Sequence, residues 1–518
     1  MAKAYHKPLS FSTTMRSPDR IAKFIKCLLP YEHLVLTNEI IMQIVYKIIR
    51  SKEYRPNYIL EDERLKAIYY NEDEEFSDED LRLIVENSPQ QHKEAGFDMG
   101  WPSRFDTWFK LPMEFGFIYY EMGSAIKISD TGHMLIDALN EVPVNGEKIQ
   151  NVFLNAMMKY QTKNPFRKNI SSNVPLILLL QLIKKLKEDS EENDAGVFIQ
   201  ELPLIICWPD SDIDRLYNTV KNIRKEKGFL YSNDYMYEVC LKLLNAEDQR
   251  KRFKKNQITG EAVDEFIRKM RITGVVSLRG QGRFIDFNMF EIDRINYILD
   301  NYSEFSEFSD KEEFYNYMGT IDERILSLPH AEVNDVATVR KEALKRYAEY
   351  YSSETVYNEL KNLSTKKDSK DTLLKTIPEP VRLEFLTSIA LKQKYDNLEI
   401  HPNYNVDDEG IPTFTAAGGR ADIVCFDNDY NSLFEVTLMR SRQQANDEIL
   451  PINRHLLEAK GINANTFSVF IAPVIHPDAA ELADFLNHKY DNIILTYSIT
   501  DFLNALDSTE KVSELINI

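Results

Sequence analysis

The sequence predicts an α+β, multidomain protein. A mostly helical N-terminal region carries two helix–hairpin units, and a C-terminal α/β domain follows in which helices flank a short mixed sheet. Three observations lead there. A chain of 518 residues exceeds what one hydrophobic core organises, so about two to four domains are expected. A helix followed by a tight two-stranded hairpin occurs twice before residue 300. Beyond residue 375, strand-length apolar runs alternate with helix-period segments, as in a layered α/β fold.

In chain order, IAKFIKCLL and NEIIMQIVYKIIR place apolar residues at helical period. SRFDTWFKLPMEFGFIYYEMGSAIKISDTGHMLIDAL reads as a helix, Gly116, a strand from Phe117 to Glu121, a turn at Gly123-Ser124, a returning strand from Ala125 to Ile128, and a helix capped by Ser129 or Asp130. NPFRKNISSNVPLILLLQLIKKLKED starts a long apolar helix near Val174 that joins this unit to the next. EAVDEFIRKMRITGVVSLRGQGRFIDFNMFEIDRINYILDNY repeats the order. Gly274 ends a helix, Val275 to Leu278 form a strand, Arg279-Gly280-Gln281-Gly282 turns, and Arg283 to Phe287 returns. A winged helix ends this way, its hairpin lying on DNA beside a groove-reading helix. Any helix followed by a hairpin gives the same pattern, and the first copy stays open between the two readings. The second has the stronger claim, because Arg279, Gln281 and Arg283 sit among glycines that let the backbone approach phosphates.

From 300 to 365 the chain is helical and rich in Tyr and Glu, and KNLSTKKDSKDT has the polarity of an exposed loop. The domain change falls near residue 300. Region 1–300, with winged-helix-like units at about 1–150 and 250–300, precedes region 301–518, whose core spans about 375–500. There, PVRLEFLTSIALKQKY is a helix, NLEIHPNY a short strand and DDEGIPTFTAAGGR a loop of small residues. ADIVCFD and SLFEVTLM are strands joined by NDYN, and RSRQQANDEILPINRHLLEAK is a helix with Pro451 as its point of kinking. TFSVFIAP is an apolar strand and HPDAAELADFLNHKY a helix.

Composition is that of an ordinary folded protein, 43% hydrophobic. No run approaches the ~18 apolar residues of a membrane span, and MAKAYHKPLSFSTTMRSPDR lacks the apolar centre of a secretory signal. Cys27, Cys207, Cys240 and Cys425 are scattered without paired spacing. They read as reduced core residues, which points to the cytoplasm and away from a cysteine zinc site. A net charge of −19 taken alone speaks against nucleic acid, yet phosphate binding follows clustering, not the sum. QRKRFKKNQ gathers Arg250, Lys251, Arg252, Lys254 and Lys255, with Arg268, Lys269, Arg271, Arg279 and Arg283 close behind. The acidic excess lies in NEDEEFSDED and KEDSEENDA, which read as solvated loops. A solvated basic loop is the plainer alternative for QRKRFKKNQ.

Two carboxylates fall on apolar runs. Asp422 opens Ile423-Val424-Cys425-Phe426, and Glu435 lies within Leu433-Phe434-Glu435-Val436-Thr437-Leu438. A turn at Asn428 to Tyr430 sets them nearly opposite on one face of adjacent strands. Carboxylates that close repel unless a cation sits between them, and an oxygen-only donor set, with the Val436 carbonyl as a third member, selects a hard ion such as Mg²⁺. An acid at a strand start and an acid-x-Lys on the next strand is the metal signature of PD-(D/E)xK nucleases. The plainer alternative is a turn aspartate and a glutamate paired to Arg440 or Arg442.

LSFSTTMRSPDRI, NPFRKNI, GGRADIVC leading into FEVTLM, and the helix with Gln443, Gln444 and Glu448 occur in this order across the chain. Together they resemble the AlwI kind of type IIS restriction endonuclease and its relatives that nick one strand. The resemblance implies an N-terminal recognition part of winged-helix-like units and a C-terminal PD-(D/E)xK cleavage part. It implies hydrolysis of double-stranded DNA at an offset from an asymmetric site, Mg²⁺ as cofactor, and products with 5′-phosphate and 3′-hydroxyl ends. By position it implies metal-binding roles for Asp422 and Glu435 and catalytic roles for Glu384 and Glu448, with His455 seven residues further on. An ordinary histidine remains the alternative for His455. Thr437 departs from the pattern where Lys usually orients the attacking water, leaving a second metal, Glu448 or His455 to activate it. DNA-contact candidates are Arg279, Gln281, Arg283, Arg104 and Lys110 for bases and Lys251, Arg252, Lys254 and Lys255 for phosphates. One active site per chain means that cutting both strands requires a second copy or a separate small subunit. The rival readings are a winged-helix DNA-binding regulator with an inactive nuclease fold, and a glycosidase using the carboxylate pair; the basic hairpins have no place in the latter.

Overall fold

The computed structural model describes residues 5–11, 15, 17–141, 144–167, 170–189, 191, 196–328, 333–416 and 418–518. Parts of LSFSTTMRSPDRI, NPFRKNI, KEDSEENDA and DDEGIPTFTAAGGR lie outside these residues. Two compact units result, one of residues 1–69, 75–141 and 147–330, the other of residues 70–74, 142–146 and 331–518. Both helix and sheet are present, and no helix among the described residues is long and apolar enough to cross a membrane.

In the first unit, α1 (Pro18–Leu28) begins where the Ser17 hydroxyl accepts the Arg20 N–H, and α2 (Asn38–Arg50) where Thr37 caps Ile40. Their apolar stripes, Ile21, Phe24, Ile25 and Leu28 on one and Ile41, Ile44, Val45 and Ile48 on the other, are fully buried. The helix α3 (Trp101–Glu114) runs through Gly116 into β1 (Ile118–Tyr119), which pairs antiparallel with β2 (Lys127–Ile128). Gly116 has φ +74°, and a Cβ there would lie 2.3 Å from that of Met318, so the turn demands glycine. Ser129 then caps α4 (Asp130–Asn140). The apolar α5 (Pro175–Glu188) is buried along most of its length. The second hairpin follows α6 (Ala262–Arg271) as β4 (Val276–Arg279) and β5 (Phe284–Phe287), turning through positive φ at Gly280, Gln281 and Gly282. The sheet has a third strand, β3 (Val197–Phe198), paired with β5. Two residues are too few for period-2 alternation to register in sequence.

The second unit is built on a five-stranded sheet of β6 (Glu399–Pro402), β7 (Ile423–Phe426), β8 (Asn431–Val436), β9 (Thr466–Ala472) and β10 (Ile494–Ser498), in the order β10-β9-β8-β7-β6. β6, β7 and β8 pair antiparallel, and β8, β9 and β10 parallel. Pro402 ends the edge strand, where a missing N–H is tolerated. All seven residues of β9 are buried, as a covered parallel strand requires. β10 was not expected from the sequence: as an edge strand it carries half-exposed Thr496, Tyr497 and Ser498, which dilute its apolar signal.

Around the sheet lie α7 (Ser353–Ser364), α8 (Glu379–Lys394), α9 (Leu450–Ile462), α10 (Pro477–Tyr490) and α11 (Ile499–Ser508). The kink expected at Pro451 takes the form of a π-helical turn, Ala445–Ile449, entering α9. Proline lacks an N–H and its ring clashes with the carbonyl four residues back; a widened turn accommodates both. Ile449, Ile452 and Leu456 pack with Phe470, Ala472, Ala479, Ala483, Leu486 and Ile494, each large aliphatic or aromatic side chain contributing about 1.5–3 kcal/mol by burial. This core fixes α9 over β9, and so fixes what α9 presents to Glu435 on the neighbouring strand.

Candidate active site

β7 and β8 pair with Ile423 opposite Phe434, so one residue further Asp422 faces Glu435. The Val436 N–H donates to Asp422 Oδ2 at 2.7 Å, and the Asp422 N–H approaches Glu435 Oε2 at 3.4 Å. These reciprocal contacts hold two acids side by side where the ladder ends. Glu435 stands abreast of Phe470 in β9, on the face covered by α9, and His455 Nδ1 lies 2.8 Å from Glu435 Oε1. Glu435 therefore meets an imidazole and not a guanidinium. Arg440 reaches the Ser364 carbonyl, and Arg442 Nε lies 3.8 Å from Asp73. The salt bridge from Glu435 to either arginine, the plainer alternative for this pair, does not form.

Two more carboxylates join electrostatically. Glu384, on α8 and 2% exposed, accepts the Ala416 N–H at 3.3 Å; the small-residue loop before β7 is what lets backbone approach it. Glu448, on the π-helical turn, has its pKa held down by the Thr437 hydroxyl, whose oxygen accepts the Met439 N–H at 3.2 Å. Thr437 thus sets a hydroxyl beside an acid. Neither the Thr437–Glu448 contact nor the Ala416 N–H was read from the sequence, since neither leaves a periodic or spacing signal.

All four acids are pushed above their ordinary range. Burial is the first cause throughout. For Asp422 the second is the Glu435 charge, opposed by the Val436 N–H and His455. For Glu384 it is the Asp422 charge, with Ala416 opposing. Glu435 is raised to about 8 by burial and Glu448, and Glu448 to about 7 by burial and then Asp422 and Asp447, with Thr437 opposing. Burial lowers the His455 pKa, with Glu458 and Asp422 pulling it back up. Four acids raising one another with one weakly basic imidazole among them is a site deficient in positive charge.

Among the described residues no three His, Cys, Asp or Glu side chains converge into a complete metal cage. Mg²⁺ does not require one, since it keeps several waters and takes one or two carboxylates. Asp422 and Glu435, joined by the backbone carbonyl of Val436, fit that demand by donor chemistry and by their missing counter-charge.

The remaining expected residues lie in the first unit. Arg104 stacks on Tyr54 and Trp108 and contacts His92 Nε2 at 2.8 Å, and Lys110 pairs with Glu94 at 3.1 Å and Asp106 at 3.7 Å. Arg279 pairs with Asp286 at 2.8 Å, and Lys187 meets the same carboxylate at 3.1 Å. Arg283 folds onto the Gly280 carbonyl at 3.0 Å and is exposed, as is Gln281. Arg252 packs on Tyr5 and Phe253, Lys255 pairs with Asp234 at 2.8 Å, and Lys251 and Lys254 are exposed.

Residues 113–329 and 321–493 match the family described as AlwI restriction endonuclease, which covers most of the chain. The chain belongs to the AlwI restriction endonuclease family. An AlwI-family protein is a site-specific deoxyribonuclease, which makes DNA the substrate and excludes the glycosidase reading. A comparison with curated proteins finds no match. Among solved structures, this family member is similar to the small subunit of the heterodimeric restriction endonuclease R.BspD6I (18% identity, TM-score 0.27, 32% of this chain and 84% of that one). It is also similar to restriction endonuclease FokI alone (12%, TM-score 0.26, 99% and 97%) and FokI bound to DNA (11%, TM-score 0.24, 100% and 98%).

Proposed function

We propose that this AlwI-family enzyme is a type IIS or strand-nicking endonuclease that hydrolyses a phosphodiester bond at an offset from an asymmetric site, using Mg²⁺ in a PD-(D/E)xK cleavage domain. The observation that carries the reading is the mutual repulsion of Glu384, Asp422, Glu435 and Glu448 around a single imidazole. Asp422, Glu435 and the Val436 carbonyl would hold the ion. Bound there, Mg²⁺ supplies Lewis-acid polarisation of the scissile phosphate and acidifies the attacking water. Glu448, raised to about 7, takes the proton of that water while Thr437 orients its carboxyl. His455 fixes Glu435 Oε1 at 2.8 Å, and Glu384 would add outer negative charge that helps retain the cation.

Recognition belongs to region 1–300 through its winged-helix-like units. Gln281 and Arg283 on the second hairpin are the favoured base contacts and Lys251 and Lys254 the favoured phosphate contacts, because these four side chains are exposed. Arg104, Lys110, Arg252, Lys255 and Arg279 would first have to leave the partners described above. Separate units for reading and cutting account for an offset. The test is supercoiled plasmid with and without Mg²⁺, beside Asp422→Ala. Linear product with metal and none from the variant indicates double-strand cutting through a second copy or small subunit, and open circles alone indicate nicking. Plasmid left intact under all conditions, across varied sequences, overturns the reading in favour of a DNA-binding regulator.

A further inference from the structure

The loop from Thr437 to Gln444 leaves the carboxylate strand β8 and leads into the turn that carries Glu448. Its two arginines face acids from a distant part of the sequence. Glu72 Oε2 accepts the Arg440 N–H at 3.1 Å, and Glu72 Oε1 lies 3.4 Å from Lys366 Nζ. Asp73 accepts the Arg442 N–H with both oxygens, at 3.1 and 3.2 Å. Asp73 Oδ2 is also 3.3 Å from His476 Nε2, and Oδ1 is 3.8 Å from Arg442 Nε. Residues 70–74 belong to the same compact unit as these partners. His476 caps the 14-residue α10 through its Nδ1, which leaves Nε2 turned to Asp73. The loop is rigidly held. Gln444, fully buried, donates to the Met439 and Val474 carbonyls at 2.7 and 2.8 Å and accepts the His476 N–H at 2.9 Å.

Two backbone N–H groups of one loop, flanked by Arg, Lys and His side chains, form a donor set suited to phosphate. We infer that the Arg440–Arg442 segment, with Lys366 and His476, is a subsite for DNA backbone phosphates beside the cleavage site. In this structure Glu72 and Asp73 occupy it as carboxylate stand-ins. Arg440 follows Glu435 by five residues, at most ~18 Å of extended chain. Arg442 follows by seven residues, at most ~25 Å, so with one charge per 3.4 Å along each strand the phosphates held here lie within about seven nucleotides of the bond to be cut. Acid and phosphate compete for the same donors, so the acidic segment lowers the affinity of the cleavage unit for DNA until the duplex displaces it. The inference rests on the nuclease reading only in taking DNA as the anion.

Binding of a fluorescein-labelled random-sequence duplex is measured by anisotropy in EDTA, with the full chain and no metal, so no ion bridges the carboxylates to DNA and no DNA is cleaved. Glu72→Gln with Asp73→Asn binds about ten-fold tighter at low salt, and its log–log salt slope steepens by about one to two, as one or two more phosphates are engaged. Glu75→Gln with Glu79→Gln, exposed acids removing the same charge, gives less than about two-fold. Adding Arg442→Ala to the first variant returns affinity and slope toward wild type; Arg442 is 72% exposed, so the fold tolerates its loss. Equal gains from both acid pairs, or a gain that survives Arg442→Ala, overturns the inference. Loss of cleavage by Asp422→Ala is read separately, so a failed phosphate subsite and a failed catalytic site are distinguishable.

Discussion

Glu435→Gln tests the charge deficit directly. Glu435 is 7% exposed, and burial with the Glu448 charge raises its pKa from 4.5 to about 8. The folded state without metal therefore holds a proton that the unfolded chain releases at lower pH. Stability that is full below pH 4.5 is lost as pH climbs through 8. The gap, at about 1.36 kcal/mol per pH unit, sets a ceiling of about 5 kcal/mol. Sharing of protons among the four acids keeps the effect below this ceiling. Glutamine keeps the shape and a partner for His455 but cannot ionise. In EDTA the variant is near wild type at pH 5 and more stable at pH 9, by less than about 5 kcal/mol, which raises the melting transition of the second unit. With Mg²⁺ in excess the order reverses at pH 9, because metal stabilises only the wild type. Thermal unfolding at both pH values, with EDTA and with Mg²⁺, reads all four conditions. Parallel pH dependence of the two proteins in EDTA would refute the argument.

Three further outcomes are expected. His455→Ala frees Glu435 Oε1 and raises the Mg²⁺ concentration for half-maximal cleavage by about 10–100-fold while leaving the rate at saturating metal within a few fold, measured by metal titration. Arg224→Ala strands Glu201, which is fully buried and held by Arg224 at 2.7 Å, costing the first unit about 3–5 kcal/mol in denaturant unfolding without shifting the metal titration. Gly116→Ala places a Cβ 2.3 Å from that of Met318 at φ +74° and costs more than about 1 kcal/mol in the same assay.

Much of this was legible in sequence wherever a signal is local. The helix–hairpin order, the cap at Ser129, and the Asp422–Glu435 register follow from period, turn chemistry and pleat. The AlwI resemblance was carried by ordered motifs along the chain, and the family match over residues 113–329 and 321–493 bears it out. What stayed hidden is long-range. β3 and β10 exist because neighbouring strands supply their hydrogen bonds. Glu72 and Asp73 sit in a run that reads as a solvated loop, and only the fold brings Arg440 and Arg442 to it. Arg104 and Arg279 read as free cations because sequence shows charge but not the Tyr54 ring or the Asp286 carboxylate that engages it.

The widened turn before Pro451 has a bearing on how the enzyme can be altered. A π-helical turn is a helix carrying one surplus residue, and an α-helix advances about 100° per residue. Pro451→Ala would remove the steric reason for the surplus. Once the turn relaxed to α geometry, everything upstream of it would rotate while His455, anchored through Ile452 and Leu456, stayed in place. Glu448 would leave Thr437, although neither residue had been touched. The proline therefore acts as a phase-setter between two stretches of one helix. In directed evolution, a substitution at 451 would tend to be accompanied by a one-residue deletion within 445–449, and neither change alone would preserve the alignment of the acids.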